Sequence, residues 1–394
     1  MAGKQPQASV PPKVAPWRDP DIRGYAFQIV VFGAVIALGW WLVSNTLENM
    51  ARQNIASGFG FITQESGFDI GDTLIPYSPA STYGEAIWVG ILNTLRVALI
   101  GIVLSTLLGT IIGIGRLSKN WLLAKICSWY VEIIRNIPLL LQLFIWYKLI
   151  TLYSPGPREA ATIGNVFISN RGVQFPVPKA DPAHMWMGIA FLLGIAASFA
   201  LARWARNRQA ATGQQFPVGL GSLGLIVGLP LIVFVFAGFP LVWDVPALRG
   251  FNFVGGVVLL PEFFALLIGL TIYTAAFIAE IVRAGILAVN RGQTEAAAAL
   301  GLRPGPLMRL VILPQALRVI IPPMTSQYLN ITKNSSLAIA IGYPDVVAIL
   351  NTTMNQTGQA IEGTALIMAC YLTVSLSISF FMNWYNKKIA LVER

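Results

Sequence analysis

About eight separate apolar runs, each long enough to cross a lipid bilayer, constrain this chain more than any other feature. A helix needs about 20 apolar residues to span the hydrocarbon core. No water is available there to satisfy backbone polar groups, so only helices and closed barrels cross it. Barrel strands alternate apolar and polar residues over about 10 positions, and these runs do not alternate. Only 11% of the residues are charged, against roughly a quarter in a soluble domain. The chain reads as an all-α polytopic membrane protein.

Basic residues orient the runs, because Lys and Arg collect in cytoplasmic loops. The first run, Tyr25 to Ser44, follows Lys4, Lys13, Arg18 and Arg23. It is longer than a signal-peptide core and ends in Trp40-Trp41-Leu42-Val43 with no small-x-small site, so it reads as a retained helix. Asn45 to Ala86 carries five acidic residues against Arg52 alone and reads as an outer loop. Further runs lie at about Trp88 to Ile114, Ile126 to Leu152, His184 to Leu201, Val218 to Phe239, Phe263 to Val282, Leu317 to Ile341 and Thr364 to Tyr385. Inner ends are marked by Arg116 and Lys119, by Arg203 and Arg206, by Arg283 to Arg318, and by Lys387 and Lys388. Every connection obeys the rule, with both termini in the cytoplasm and about eight spans.

The net charge of +10 is accounted for by these inner loops and does not point to nucleic acid. Cys127 and Cys370 lie in or beside apolar runs, which argues against a disulfide framework. His184 stands alone, so no metal site is expected. The chain has no G-x-x-x-x-G-K-[ST] phosphate loop and no motif of a catalytic nucleophile, so it is not expected to be an enzyme.

The inner loop after the sixth run reads Gly292-Gln293-Thr294-Glu295-Ala296-Ala297-Ala298-Ala299-Leu300-Gly301. Thr294 is placed to cap a helix, with Glu295 in its first turn. The alanines favour helix, and Gly301 suits a left-handed end. Arg303-Pro304-Gly305-Pro306 is expected to block continuation. A helix of about two turns follows, serving either as a plain connector or as a docking element.

Glu295-Ala296-Ala297, Gly301 and Ile312-Leu313-Pro314 resemble the EAA motif of ABC importer permeases. The flanks Tyr273 to Arg283, Leu313 to Arg318, Pro322-Pro323, Lys333-Asn334-Ser335-Ser336-Leu337 and Glu132 to Gln142 resemble the polar-amino-acid permeases. Two positions depart from that pattern. Asn136-Ile137 stands where Gly-Thr is frequent, and Asn334-Ser335 where x-Thr is frequent.

The resemblance implies a type I ABC importer transmembrane fold with five core helices. An extra N-terminal helix and an inserted helix pair resemble the larger permease of general L-amino-acid importers of the Aap and Bzt type. It divides the chain into a cytoplasmic tail (1–24), an extra helix with a long periplasmic loop (25–87), the transmembrane domain (88–386, with an insertion at 153–260) and a second cytoplasmic tail (387–394). It implies ATPase coupling through Glu295, Ala296, Ala297, Gly301 and Arg303. Partners implied are a second homologous permease, similar (a heterodimer) or identical, two ATP-binding subunits and a periplasmic amino-acid-binding protein. ATP and Mg2+ would bind on the partner ATPase, with no cofactor on this chain. An ion-gradient-driven amino-acid transporter is the alternative, and it predicts matching broken helices in two halves.

Ionisable groups at membrane depth face protein interior or water. Glu132 with Arg135 or Asn136 shares a helix face, as a structural pair or otherwise. Glu280 and Arg283, with Pro314, are expected to support the inner loop. Gln142 and the face carrying Ser326, Gln327, Asn330, Lys333 and Asn334 are the candidate translocation lining. Lys333 has the alternative of snorkelling to the outer surface.

Overall fold

A computed structural model describes residues 20–53, 57–250 and 252–389. The tail expected over 1–24 lies outside these residues as far as position 19, as do the last five residues of the C-terminal tail. α1 (Pro20–Arg52) extends the first run at both ends. Its apolar window is not buried against the rest of the chain, although Met50 near its end is buried. A chain segment containing Phe59–Thr63 then leads to α2 (Tyr83–Gly115). Thr82 and Glu85 form a reciprocal capping box at its start.

The third run is not one straight span. α3 (Trp121–Asn136) and α4 (Leu139–Tyr153) meet at 105°. Ile137 is extended (φ −97°, ψ 125°), as a residue before proline prefers. Pro138 has no N–H to continue the ladder.

The connector after α4 reads as loop in the sequence, yet it contains strands. β1 (Ala161–Ile163), β2 (Val166–Ser169) and β3 (Gly172–Phe175) form an antiparallel meander. β4 (Val177–Pro178) leads to α5 (Pro182–Thr212) and α6 (Val218–Phe236). The return path is β5 (Trp243–Asp244), β6 (Ala247–Arg249), β7 (Asn252–Val254) and β8 (Val257–Leu259). β3 pairs with β8, and β4 with β5. The outgoing and returning strands therefore close a neck at the base of the helix pair. α5 and α6 pack chiefly on each other.

α7 (Pro261–Leu287) is the hub, with 61% of its apolar window buried. It packs along α2, α3, α4 and α10. α8 (Arg291–Ala299) follows α7. The seventh run then starts earlier than Leu317. It comprises α9 (Pro304–Leu307), a π-helical turn (Met308–Ile312), α10 (Leu313–Asn334) and a 3-10 stretch (Ser335–Ile341). α8 has ended before Pro304, which instead opens α9, where a missing N–H costs nothing. α10 runs through Pro322 and Pro323 without ending. α11 (Val346–Thr357) packs on α2 and on α12 (Ala360–Ile389), which closes the bundle.

The α2–α7 contact sets the spacing of the core. Gly101, Ser105, Gly109 and Gly113 recur every four residues on α2 and are buried. Such small residues let membrane helices approach closely, where lipid supplies no hydrophobic drive. A Cβ on Gly109 would lie 2.7 Å from Ile278 Cβ and 2.8 Å from the Ala275 carbonyl. On Gly113 it would lie 2.7 Å from the Ala279 carbonyl. Backbone cannot yield there as a flexible side chain would. Gly109→Leu is therefore expected to cost about 1–3 kcal/mol or more by overpacking. Thermal unfolding in detergent should show a lowered midpoint, and an unchanged midpoint would contradict the contact.

Candidate functional site

The inner loop is a well-ended helix, but its start differs from expectation. Asn290, not Thr294, caps α8, its side chain accepting from the Gly292 N–H at 2.8 Å. The helix begins a turn earlier, so Glu295 sits mid-helix rather than in the first turn. Its end agrees with expectation. Gly301 is left-handed at φ 79°. The Gly301 N–H donates to Ala298 O at 2.9 Å, and the Leu302 N–H to Ala297 O at 3.2 Å, a Schellman closure.

Ala297 and Leu307 are buried and seat α8 against the following segment. Glu295, Ala296 and Gly301 are exposed, as are Arg303 at the start of α9 and Pro314 at the start of α10. Leu300 is 84% exposed, and Met308, Leu310 and Leu313 are exposed nearby. These apolar side chains lie among the exposed basic residues Arg291, Arg303 and Arg309. Sequence reasoning missed these leucines, although their place beside the alanines was visible.

Glu280 joins the inner ends of two core helices. Arg283 Nη2 donates to Glu280 Oε1 at 2.6 Å. Arg116, at the end of α2, donates to Glu280 Oε2. The expected Glu280–Arg283 pair is present, and Arg116 is the partner the sequence did not identify. By contrast, no ion pair joins Glu132 to Arg135 among the described residues. Arg135 lies over the Phe277 ring at 4.9 Å.

The candidate path residues separate. Gln142 is buried at the α3–α4 bend, where its Nε2 donates to the carbonyls of Ile134 (3.0 Å) and Ile137 (2.9 Å). It holds the bend and is not on the α10 face. Ser326, Asn330 and Lys333 are exposed with Pro322 and Pro323, falling on one stripe at helical spacing. Gln327 and Asn334 are half-buried at its flank.

A buried polar cluster near the outer ends of the core is absent from the sequence expectations. Arg96, within the second run, donates to Asp72 of the outer loop and to the Tyr343 hydroxyl at 3.1 Å. Its guanidinium lies 4.3 Å from the Phe263 ring centroid. Asn93 Nδ2 donates to the carbonyls of Asp72 (2.8 Å) and Pro344 (3.0 Å). The lone cation in an apolar run was the available signal.

Beside this cluster Asp345 is fully buried. It caps α11, Oδ1 accepting from the Ala348 N–H at 2.8 Å, and the Tyr371 hydroxyl donates to Oδ2 at 3.4 Å. Burial pushes its carboxyl up to about 7, against these hydrogen bonds, which favour the charged form. The folded chain therefore holds this proton more tightly than an unfolded chain, whose carboxyl lies near ~3.9. Stability from this group rises as pH falls from above about 7 towards about 4 and then levels. Asp345→Asn keeps a capping side chain and should flatten the rise in melting temperature between about pH 8 and about pH 5. Equal slopes in both proteins would contradict this.

Residues 220–391 match the family model described as "Binding-protein-dependent transport system inner membrane component". The general L-amino acid transport system permease protein AapQ of Rhizobium johnstonii is 54% identical, covering 95% of this chain and 94% of that protein. The putative amino-acid ABC transporter permease protein YhdX of Escherichia coli is 51% identical, covering 95% and 96%. The glutamate/glutamine/aspartate/asparagine transport system permease protein BztB of Rhodobacter capsulatus is 44% identical, covering 95% and 96%. A solved amino acid ABC transporter is 21% identical with a TM-score of 0.46, covering 78% of this chain and 95% of that chain. Members of the family work with ATPase and binding-protein partners, and ATP hydrolysis belongs to the ATPases. The chain belongs to the inner-membrane permease family of binding-protein-dependent ABC importers and is a multi-pass transport subunit of an ATP-driven importer.

Proposed function

We propose that this permease carries polar L-amino acids of broad kind inwards. Three relatives above 40% identity named for amino-acid transport, matched over nearly their whole length, support this most directly. Two ATP-binding subunits dock at the inner face, with ATP and Mg2+ bound on them. A periplasmic amino-acid-binding protein docks outside. A second, homologous permease completes a heterodimer.

The exposed, rigidly ended α8 carries the coupling. Glu295, Ala296, Ala297 and Gly301 move with the ATPase, and Arg303 and Pro314 pass the movement into α9 and α10. Glu280, Arg283 and Arg116 keep α7 and α2 moving together. The chain makes eight spans with cytoplasmic termini when bent α3–α4 counts as one, within the seven to eight that length and apolarity allow. The domain division at 24, 87 and 386 is part of this reading. Its insertion at 153–260 is supported by the paired strands at its neck.

The α10 stripe of Ser326, Asn330 and Lys333 lines the pathway, flanked by Gln327 and Asn334. A polar stripe left uncovered on a membrane helix supports it, since lipid would not accept it. The complex reconstituted in proteoliposomes with Asn330→Cys in this chain tests both parts. Import should require ATP and survive an uncoupler, and labelling of the introduced thiol should change with nucleotide state. ATP-independent, uncoupler-sensitive import would restore the ion-gradient reading. Absence of labelling in every state would remove Asn330 from the path.

A further inference from the structure

We infer that an outer cleft of this chain is a receiving site for an α-amino-acid zwitterion, with Arg171 binding the carboxylate and Glu262 and Asp69 the ammonium group. This rests on the amino-acid reading above and names a site for it away from the α10 stripe. The cleft, of about 890 Å3, is walled by the outer loop, α4, the β2–β3 turn, the start of α7 and α11.

Its charged residues come from three distant parts of the sequence and converge around Leu260. Gly172, next to Arg171, abuts Leu259 and Leu260 so closely that a Cβ there would lie 2.2 Å from the Leu259 carbonyl. Gly71, two residues from Asp69, has its Cβ direction 3.5 Å from Leu260 Cδ1. Glu262 stands two residues beyond Leu260 on the first turn of α7. Arg171, Glu262 and Asp69 thus line one cleft from three elements, offering a cation for a carboxylate and carboxylates for an ammonium group.

The groups are also positioned. Asn252 accepts from Arg171 Nη1, and the Tyr147 hydroxyl donates to Glu262 Oε1 at 3.0 Å. Asn170 Oδ1 is buried without a hydrogen-bond donor, a cost that a ligand ammonium group would relieve. The remaining polar lining, including Asn351, Thr352 and Asn355, is uncharged. Charged groups for the common backbone of amino acids and neutral groups for the rest suit a site that accepts many side chains. Two of the walls, Phe68 to Gly71 and Asn170-Arg171, come from the segments added to the five-helix core.

The test uses the permease–ATPase complex in nanodiscs, radiolabelled L-glutamine, and the purified binding protein. Wild-type complex should bind free L-glutamine saturably, and N-acetyl and carboxamide derivatives should not compete. Arg171→Gln and Glu262→Gln should each weaken binding about tenfold or more. Affinity for the binding protein and basal ATP turnover should stay at wild-type level, which also shows that the variants fold. Unchanged glutamine binding in the variants, competition by both blocked derivatives, or no saturable binding by wild type would overturn the site. Loss of binding-protein affinity with glutamine binding intact would make the cleft a protein-docking surface instead. Import of amino acids by the wild-type complex, measured in parallel, separates the two claims. Import without cleft binding defeats only this inference, and absence of import defeats the amino-acid reading and the site together.

Discussion

The close approach of α2 and α7 sets the geometry on which the other elements depend. Small residues recur at every fourth position of α2, and Gly109 and Gly113 let the α7 backbone sit against it. Membrane helices associate through such packing because burial from water cannot drive them together. α7 then presents its remaining faces to α3, α4 and α10. α8 follows one end of α7, and the cleft lined by Pro261 and Glu262 begins at the other.

Charged groups tie α2 to α7 at one end and α2 to the loop carrying Asp72 towards the other. On the inner side Glu280 is held between Arg283 and Arg116. Towards the outer side Arg96 joins Asp72, so the outer loop is strapped onto the core. Asp72 and Arg96 are both largely buried. Removing one partner of such a pair costs about 3–5 kcal/mol, because the other charge is left without compensation. These ion pairs tie the core helices and the loop carrying Asp72 into one connected body.

What the sequence disclosed follows from the range of the interactions involved. Apolar runs are local, so the helices long and apolar enough to cross a membrane were legible. Gly301 declared the end of α8 because few residues tolerate its left-handed backbone. The start was misplaced because Asn290 and Thr294 are both plausible caps, and only the backbone path chooses between them. The bend at Pro138 is marked in the sequence by a proline within an apolar run. Arg96 was visible as a lone cation. Its partners Asp72 and Tyr343 are 24 and 247 residues away, beyond any local pattern. The strands of the insertion are two to four residues long, too short to register as alternation.

The central claim is that α8, with its left-handed end at Gly301, receives the work of ATP hydrolysis. Gly301→Asp strains that backbone by about 1–2 kcal/mol and adds a negative charge to the docking face. The direct measurement is ATP turnover and amino-acid uptake by the reconstituted complex carrying this one change. The account predicts a chain inserted at wild-type level, no uptake, and no stimulation of ATP turnover by the loaded binding protein. Normal uptake with normal stimulation would contradict it.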